Sequence, residues 1–483
     1  MRLPPRLGLA FAVLPVAACA GTGRSALPQA AQTRIPQQDS TRPTEPPPFT
    51  PLAGQSAEAP AAMGPGRAQL QLREEIFAAA WTAVRDKDFD KTLVGQDWEA
   101  ARTRYHAIAL AGPDEATFYR TINEMLGTLG QSHLEVHGPG EIPDDAPSPP
   151  PMGGTRPATE VIEVGTGVGD PGLLVRSIEG RPTVSQVRPG SSAARSGLRT
   201  GYLITRIAGR DIAALPASPR ALRPVEERFR LRRQAARLLS GPVGSKVSVQ
   251  FLDGEDQAHE ALLTRDPPPR PAVQALLMPP IVPEVRTARH GEVGVIAFNF
   301  FLLEPILSEV QSAIDGFRRS GAKALIIDLR GNPGGFGGMA IPVAARLVNH
   351  TMSLGTIQFR DFANTLTVEP PLGSKPFTGK VILLTDEGSA STSEILASGL
   401  QEAKRATVVG EGTVGAALGS TIESLPGGAV IQIPVAGFKT PRGVAIEGRG
   451  VRPDCQVTET RAALLAGRDP VLEAALELAH RAD

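Results

Sequence analysis

The chain has 483 residues, too many for one ordinary domain, so two or three are expected. Fifty Lys and Arg balance fifty Asp and Glu, which excludes a global field drawing the protein to nucleic acid or to an anionic membrane surface. Aromatics are scarce and cysteines number two, so composition marks nothing beyond a soluble globular chain with loose linkers.

The N-terminal stretch MRLPPRLGLAFAVLPVAAC says more. Arg2 and Arg6 precede an apolar run of about a dozen residues, where a spanning helix needs about 20. Residues 1–19 therefore read as a secretory signal. Val16-Ala17-Ala18-Cys19 resembles the lipobox of bacterial lipoproteins. That resemblance implies lipidation of Cys19 and an exported protein anchored in the bacterial cell envelope, on the periplasmic face. An ordinary cleaved signal is the alternative. With Cys19 lipidated, Cys455 has no intrachain partner, and stability must come from packed cores.

Residues 20–66 are rich in Pro, Ala, Thr, Ser and Gln without apolar period. They cannot bury enough surface to offset ordering entropy and are expected to form a disordered tether. Residues 67–140 predict a small helical domain. Leu70, Leu72, Ile76, Phe77, Trp81 and Val84 recur at helical spacing, as do Trp98, Tyr105 and Ile108, then Phe118, Ile122, Met125, Leu126 and Leu129. A proline-rich loop follows, Glu141 to Thr159.

Residues 160–266 predict short strands and turns. In VSQVRPGSSAARSGLRTGYLITRIAGRDI, Val184 to Ile212, a strand ends at Pro189-Gly190, Ser191 to Arg195 make one helical turn, and Leu203 to Ile207 form another strand. The stretch resembles a PDZ domain, with Tyr202 where Asp is usual and Ala208 where Asn is usual. The resemblance implies a groove-flanking helix in the arginine-rich stretch Pro224 to Leu239. It places a carboxylate-cradling loop at Gly172, Leu173, Leu174 and Val175. Such a domain takes a peptide C-terminus as an added strand, or serves here only as a lid or spacer. Residues 267–286 read as a second proline-rich linker.

Residues 287–483 alternate strand and helix. VGVIAFNF, AKALIIDLR, VILLTD and ATVVG read as buried strands, and Ile306–Arg319 and Ser391–Glu402 as helices. That alternation predicts an α/β layer architecture. Two motifs close its strands. Ser391-Thr392-Ser393-Glu394 is S-x-x-E, which suits a capping box. A serine on a strand-to-helix turn is also presented outward beside amides able to stabilise negative charge. DLRGNPGG, Asp328 to Gly335, lacks the G-K-[ST] of a phosphate loop. It is either a permissive glycine turn or the source of an amide aimed at an oxyanion.

Taken together, DLRGNPGG, SASTSEI, VVGE and GVAIEGRGVRPD resemble the carboxyl-terminal processing, or tail-specific, serine protease family. The resemblance spans about residues 67–483. It implies an α/β (α+β) multidomain protein: a ClpP/crotonase-like protease core, a PDZ domain and an N-terminal helical domain. It makes Ser391 the nucleophile and the amides of Gly335 and Thr392 the oxyanion hole. One position departs. Where many members carry a lysine general base, GEGTVGAAL places Ala416, whose methyl accepts no proton.

A base is available in LGTLGQSHLEVHG, Leu126 to Gly138. Its Ser132-His133 is similar to the L-x-x-S-H segment of the family's tricorn core protease branch, which implies a tetrad of Ser391, His133, Ser132 and Glu447. His137 is the competing histidine. A histidine so far from Ser391 in sequence implies a site assembled at a domain interface, where closure gates activity. The expectation is an exported, lipid-anchored endopeptidase using neither metal nor cofactor. Its substrate is a protein or peptide, met through the C-terminus; no oligomeric state is implied. The alternative is a catalytically inactive protease-fold scaffold that binds partners through its PDZ domain.

Overall fold

The computed structural model describes residues 66–481 except 94, 140–160, 165–166, 215–221, 276–280 and 374. The signal stretch, Cys19, residues 20–65 and the Glu141–Thr159 loop lie outside the described residues. No described helix is long and apolar enough to cross a membrane.

A six-stranded sheet runs in the order Val285–His290, Val293–Phe298, Ala324–Asp328, Lys380–Thr385, Thr407–Gly410, Cys455–Gln456. The first pair is an antiparallel hairpin and every later pairing is parallel. Parallel strands covered on both faces read as continuous aliphatic runs, which is why ALIID and VILLT lack polar alternation. Side chains alternate between two cores all the same. Ile296, Leu325, Ile327, Leu383 and Val408 meet the helices Ser308–Arg319 and Thr392–Glu402 through Val310, Ile314, Leu396 and Leu400. Val295, Ile326, Ile382, Leu384 and Val409 face Val471 and Ala475 of the helix Pro470–His480.

A second, antiparallel sheet places Val430–Lys439 between Glu135–His137, Gly419–Ser424 and the hairpin Met352–Phe359/Ala363–Val368. Three N-terminal helices, Arg67–Lys87, Gln96–Leu110 and Glu115–Gly127, pack on it. Trp81 and Trp98 stack at 6.4 Å and exchange indole-to-carbonyl hydrogen bonds of 3.2 Å. The helices share one core with Leu425, Ala429, Ile431 and Ile433. The expected domain interface, able to open and close, is instead a common hydrophobic core with a strand ladder across it. Leu70, Leu72 and Ile108 fit the apolar period but are exposed, because the three-helix layer buries only its sheet-facing side.

A third sheet, of order Ala258–Thr264, Lys246–Leu252, Leu203–Ile207, Arg181–Val187, Leu173–Ile178, carries the helix Pro224–Leu239 against its last strand. The proposed cradle needs correction. Leu173, Leu174 and Val175 are strand, laddered to Val184–Val187, and only Gly172 is loop. The Gly172 amide is already taken by Asp170 Oδ1 at 2.6 Å. The 267–286 linker also differs from expectation: Ala272–Ala275 pairs with Val161–Val164, and buried Val273 joins the main core. A short A-V-Q-A run between prolines carries too little pattern to announce a strand.

Candidate active site

The site lies at the carboxyl ends of the parallel strands Ala324–Asp328 and Lys380–Thr385, where open α/β sheets place their ligands. Each strand runs into a loop, and the two loops are sewn together. Ala390 N–H donates to the Asn332 carbonyl (3.1 Å), Ser393 Oγ to the same oxygen (2.8 Å), and Ser389 Oγ to the Leu329 carbonyl (2.8 Å). The fully buried Asn332 side chain ties the turn from within, donating to the Phe298 carbonyl (2.9 Å) and accepting from Gly334 N–H (3.0 Å).

Asp328 and Arg330 serve as struts. The Arg330 guanidinium grips Asp328 (2.7 and 2.9 Å) and Asp469 (2.8 and 2.9 Å), fixing the loop to the C-terminal helix, which Asp469 also caps. Behind the Ser391 turn lies an ion cluster. Arg176, on the edge strand of the third sheet, makes a fork of 2.8 and 2.6 Å to Glu387 and one bond of 2.7 Å to Glu459. Asp386 sits 3.4 Å from Arg176 and 3.2 Å from Arg232, while its other oxygen accepts the amides of Gly331 (2.7 Å) and Gly388 (2.8 Å). Burial opposes its charge, but Arg176 and Arg232 hold the Asp386 carboxyl below the usual range.

Ser391 stands at φ 52°, ψ −115°, the strained conformation of a residue on a sharp strand-to-helix turn. Only half of its surroundings serve as a cap. Glu394 reaches back to the Ser391 amide at 2.9 Å, while the Glu394 N–H goes to the Ser391 carbonyl at 2.8 Å. Gly334 must be glycine, since a Cβ there would stand 2.7 Å from Ser391 Cβ and 2.8 Å from Thr392 N. Gly335 forms a parallel bridge with Phe301 in which Phe301 N–H donates to Gly334 and Phe336 N–H to Phe301. The Gly335 amide thus faces away from Phe301, and its carbonyl accepts from Thr392 Oγ1 at 3.0 Å. The two residues whose amides are expected to form an oxyanion hole are linked through that hydroxyl.

Ser132, His133 and Glu447 come together. Ser132 Oγ lies 2.8 Å from His133 Nδ1, and the Ser132 amide donates to Glu447 Oε1 at 2.8 Å. Glu447 Oε2 accepts the Ala417 amide at 3.0 Å, and Ala416, next in line, accepts the Ser391 amide at 3.1 Å. One segment, 416–417, therefore touches both the Ser391 turn and the carboxylate of Glu447. His133 is at φ 57°, in the left-handed region, just before the strand Glu135–His137. Among the described residues no hydrogen bond joins the His133 ring to the Ser391 hydroxyl. His137 lies in the strand ladder opposite Val430, with Glu135 at 3.7 Å. No described cluster of His, Cys, Asp and Glu fits a metal ion.

Residues 292–457 match the model of peptidase family S41, and residues 71–127 that of the tricorn protease C1 domain. A carboxyl-terminal-processing protease of Synechocystis sp. is 28% identical over 415 residues, covering 84% of this chain and 86% of that protein. This chain is a serine peptidase, similar over residues 292–457 to peptidase family S41. A chloroplastic carboxyl-terminal-processing peptidase of Arabidopsis thaliana is 26% identical to the peptidase over 396 residues, covering 80% of this chain and 69% of that one. The solved structure of a photosystem II D1 C-terminal processing protease has the same fold. It matches with a TM-score of 0.53 at 22% identity, covering 85% of the peptidase and 97% of that chain.

Sequence reasoning missed two features of the candidate site. The Arg176–Glu387 fork joins residues 211 apart and leaves no local pattern. Glu394 was visible, but only as a cap. It is fully buried and accepts four hydrogen bonds, and burial pushes its carboxyl up to about 7 against the pull of those donors.

Proposed function

We propose that the peptidase is an exported, lipid-anchored endopeptidase of the branch that uses histidine in place of lysine. His133 removes the Ser391 proton through Nε2, and the Ser391 oxygen attacks the peptide carbonyl. The amides of Gly335 and Thr392 receive the oxyanion, each worth about 3 kcal/mol. The proton then passes to the leaving amine, the C–N bond breaks, and water releases the acyl group by the reverse relay. Ser132, on Nδ1, fixes the tautomer, and Glu447 holds Ser132 in place.

One observation carries this reading: Glu447 bridges the Ser132 amide and the 416–417 segment against which Ser391 is set. It supplies a histidine-bearing relay at the place where Ala416 offers no ammonium. The match of residues 71–127 to the tricorn C1 domain supports the same branch. The missing His133–Ser391 hydrogen bond fits a site that tightens on substrate, as free enzymes commonly show. The third sheet is taken as the PDZ domain, its edge strand Leu173–Ile178 and helix Pro224–Leu239 framing a groove for peptide C-termini. Val16-Ala17-Ala18-Cys19 is taken as the anchor.

A fluorophosphonate probe should label the wild type and not Ser391→Ala, and His133→Ala should abolish hydrolysis of labelled casein. Normal turnover by His133→Ala would refute the base. An unlabelled wild type would favour the inactive scaffold, the reading that Ala416 supports.

A further inference from the structure

Glu394 is a buried carboxyl group that pairs with no cation among the described residues. Its carboxyl group is fully buried, in the first turn of the helix Thr392–Glu402, and every group pointed at it is a donor. Oε1 accepts from Gly415 N–H at 2.7 Å and from the Thr413 hydroxyl. Oε2 accepts from Ser391 N–H at 2.9 Å and Ala416 N–H at 3.0 Å. The Thr413 oxygen itself accepts from Val451 N–H at 2.7 Å, so its proton has only the carboxylate to go to. Four donors converge on the two oxygens, two on each. A glutamine amide would set its own hydrogens against one of the donor pairs.

The donors come from two places. One is the nucleophile's own amide, and the other three lie on the segment Thr413–Ala416. The residue after that segment, Ala417, is held by Glu447, the carboxylate on the histidine side. Gly448, next to Glu447, donates back to the Gly415 carbonyl at 2.9 Å. Five residues, Thr413 to Ala417, are thus pinned by one carboxylate on the Ser391 side and another on the His133 side. No capping role requires this: a cap needs the bond to Ser391 N–H alone.

We propose that Glu394 is a positioning residue for acyl transfer: it locks the Thr413–Ala417 segment to the Ser391 turn and so sets the spacing between nucleophile and histidine relay. On this assignment the segment keeps a function after losing its ammonium. It no longer supplies the base but acts as the spacer between the two halves of the site. The inference rests on the peptidase reading above, with Ser391 as nucleophile.

The test compares Glu394→Gln with wild type, measuring the rate of fluorophosphonate labelling at Ser391 and kcat and KM on labelled casein. The expected result is a fall of about 100-fold in kcat and in labelling rate, with KM within about threefold, as for a small misplacement of reacting groups. Labelling and kcat within about threefold of wild type would overturn the inference. If Glu394→Gln does not fold, Thr413→Val against Thr413→Ser decides. Valine should lose about tenfold in kcat with KM kept, and serine, which restores the hydroxyl, should regain most of it. Equal rates for the two would overturn the inference. A wild type that the probe does not label means that the nucleophile assignment itself has failed. A labelled wild type with an equally reactive Glu394→Gln sinks only the spacer.

Discussion

Replacing Gly335 by alanine tests the oxyanion assignment at its most constrained point. The residue sits at φ 137°, a region alanine enters at a cost of about 2 kcal/mol. Its Cβ would stand 2.3 Å from the Phe301 carbonyl oxygen and 2.6 Å from Phe300 Cε1, where real Cβ atoms essentially never approach within 3.0 Å. Phe301 is itself fully buried, so the glycine loop has to retreat by several tenths of an ångström. That retreat takes the Gly335 amide off its aim and, through the carbonyl bonded to Thr392 Oγ1, disturbs the second donor. Loss of one donor lowers kcat by about 100-fold or more, with KM nearly unchanged, because the interaction exists only in the transition state. Steady-state kinetics on labelled casein beside a calorimetric Tm separates lost chemistry from lost fold. Gly338→Ala, in the same loop with nothing within 4 Å of its would-be Cβ, is the control and should behave as wild type. A Gly335→Ala enzyme with kcat within threefold of wild type would refute the oxyanion role.

The ion cluster behind the Ser391 turn makes a stability prediction. Arg176→Ala strands Glu387, which has no exposed surface, together with Glu459, and should cost about 3–5 kcal/mol in urea unfolding. A loss below about 1 kcal/mol would mean that water replaces the guanidinium. Glu394 makes a pH prediction. Burial raises its folded carboxyl from 4.5 to about 7, so the folded state binds the proton more tightly than the unfolded chain. The resulting stabilisation is complete below about pH 4.5 and lost as pH rises through 7, about 3 kcal/mol in all. Wild-type stability measured against Glu394→Gln should therefore decline from pH 4.5 to 8. A constant difference would show that the four donors hold the group at its unfolded value.

Much of the core is legible in the sequence because its signals are local. The strands VGVIAF, ALIID and VILLT announce themselves by aliphatic runs, and Ser391 by its place between such a run and a helix. The helix Pro224–Leu239 is implied by the PDZ resemblance, and a helix forms over those residues. What sequence could not reveal is relational. The pairing of Ala272–Ala275 with Val161–Val164, more than 100 residues earlier, has no trace in either tetrapeptide. Ile108 obeys helical spacing, yet no second layer covers its face. The Gly172 amide looked free for a ligand until Asp170, two residues away, was seen to occupy it. In S-x-x-E the glutamate explains itself as a cap, and nothing nearby hints that Thr413, Gly415 and Ala416 converge on it.

The strand Glu135–His137 is hydrogen-bonded to Val430–Gln432, almost 300 residues later, and the Ser132 beside it leans on Glu447. On the proposed assignment, a ribosome that has passed Ser391 has not yet made a protease, because residues 430–447 are still to come. The nascent chain carries its alcohol and its imidazole with no frame to hold them in register. Proteolytic power arrives only once Val430–Gln432 and Glu447 have been added and paired.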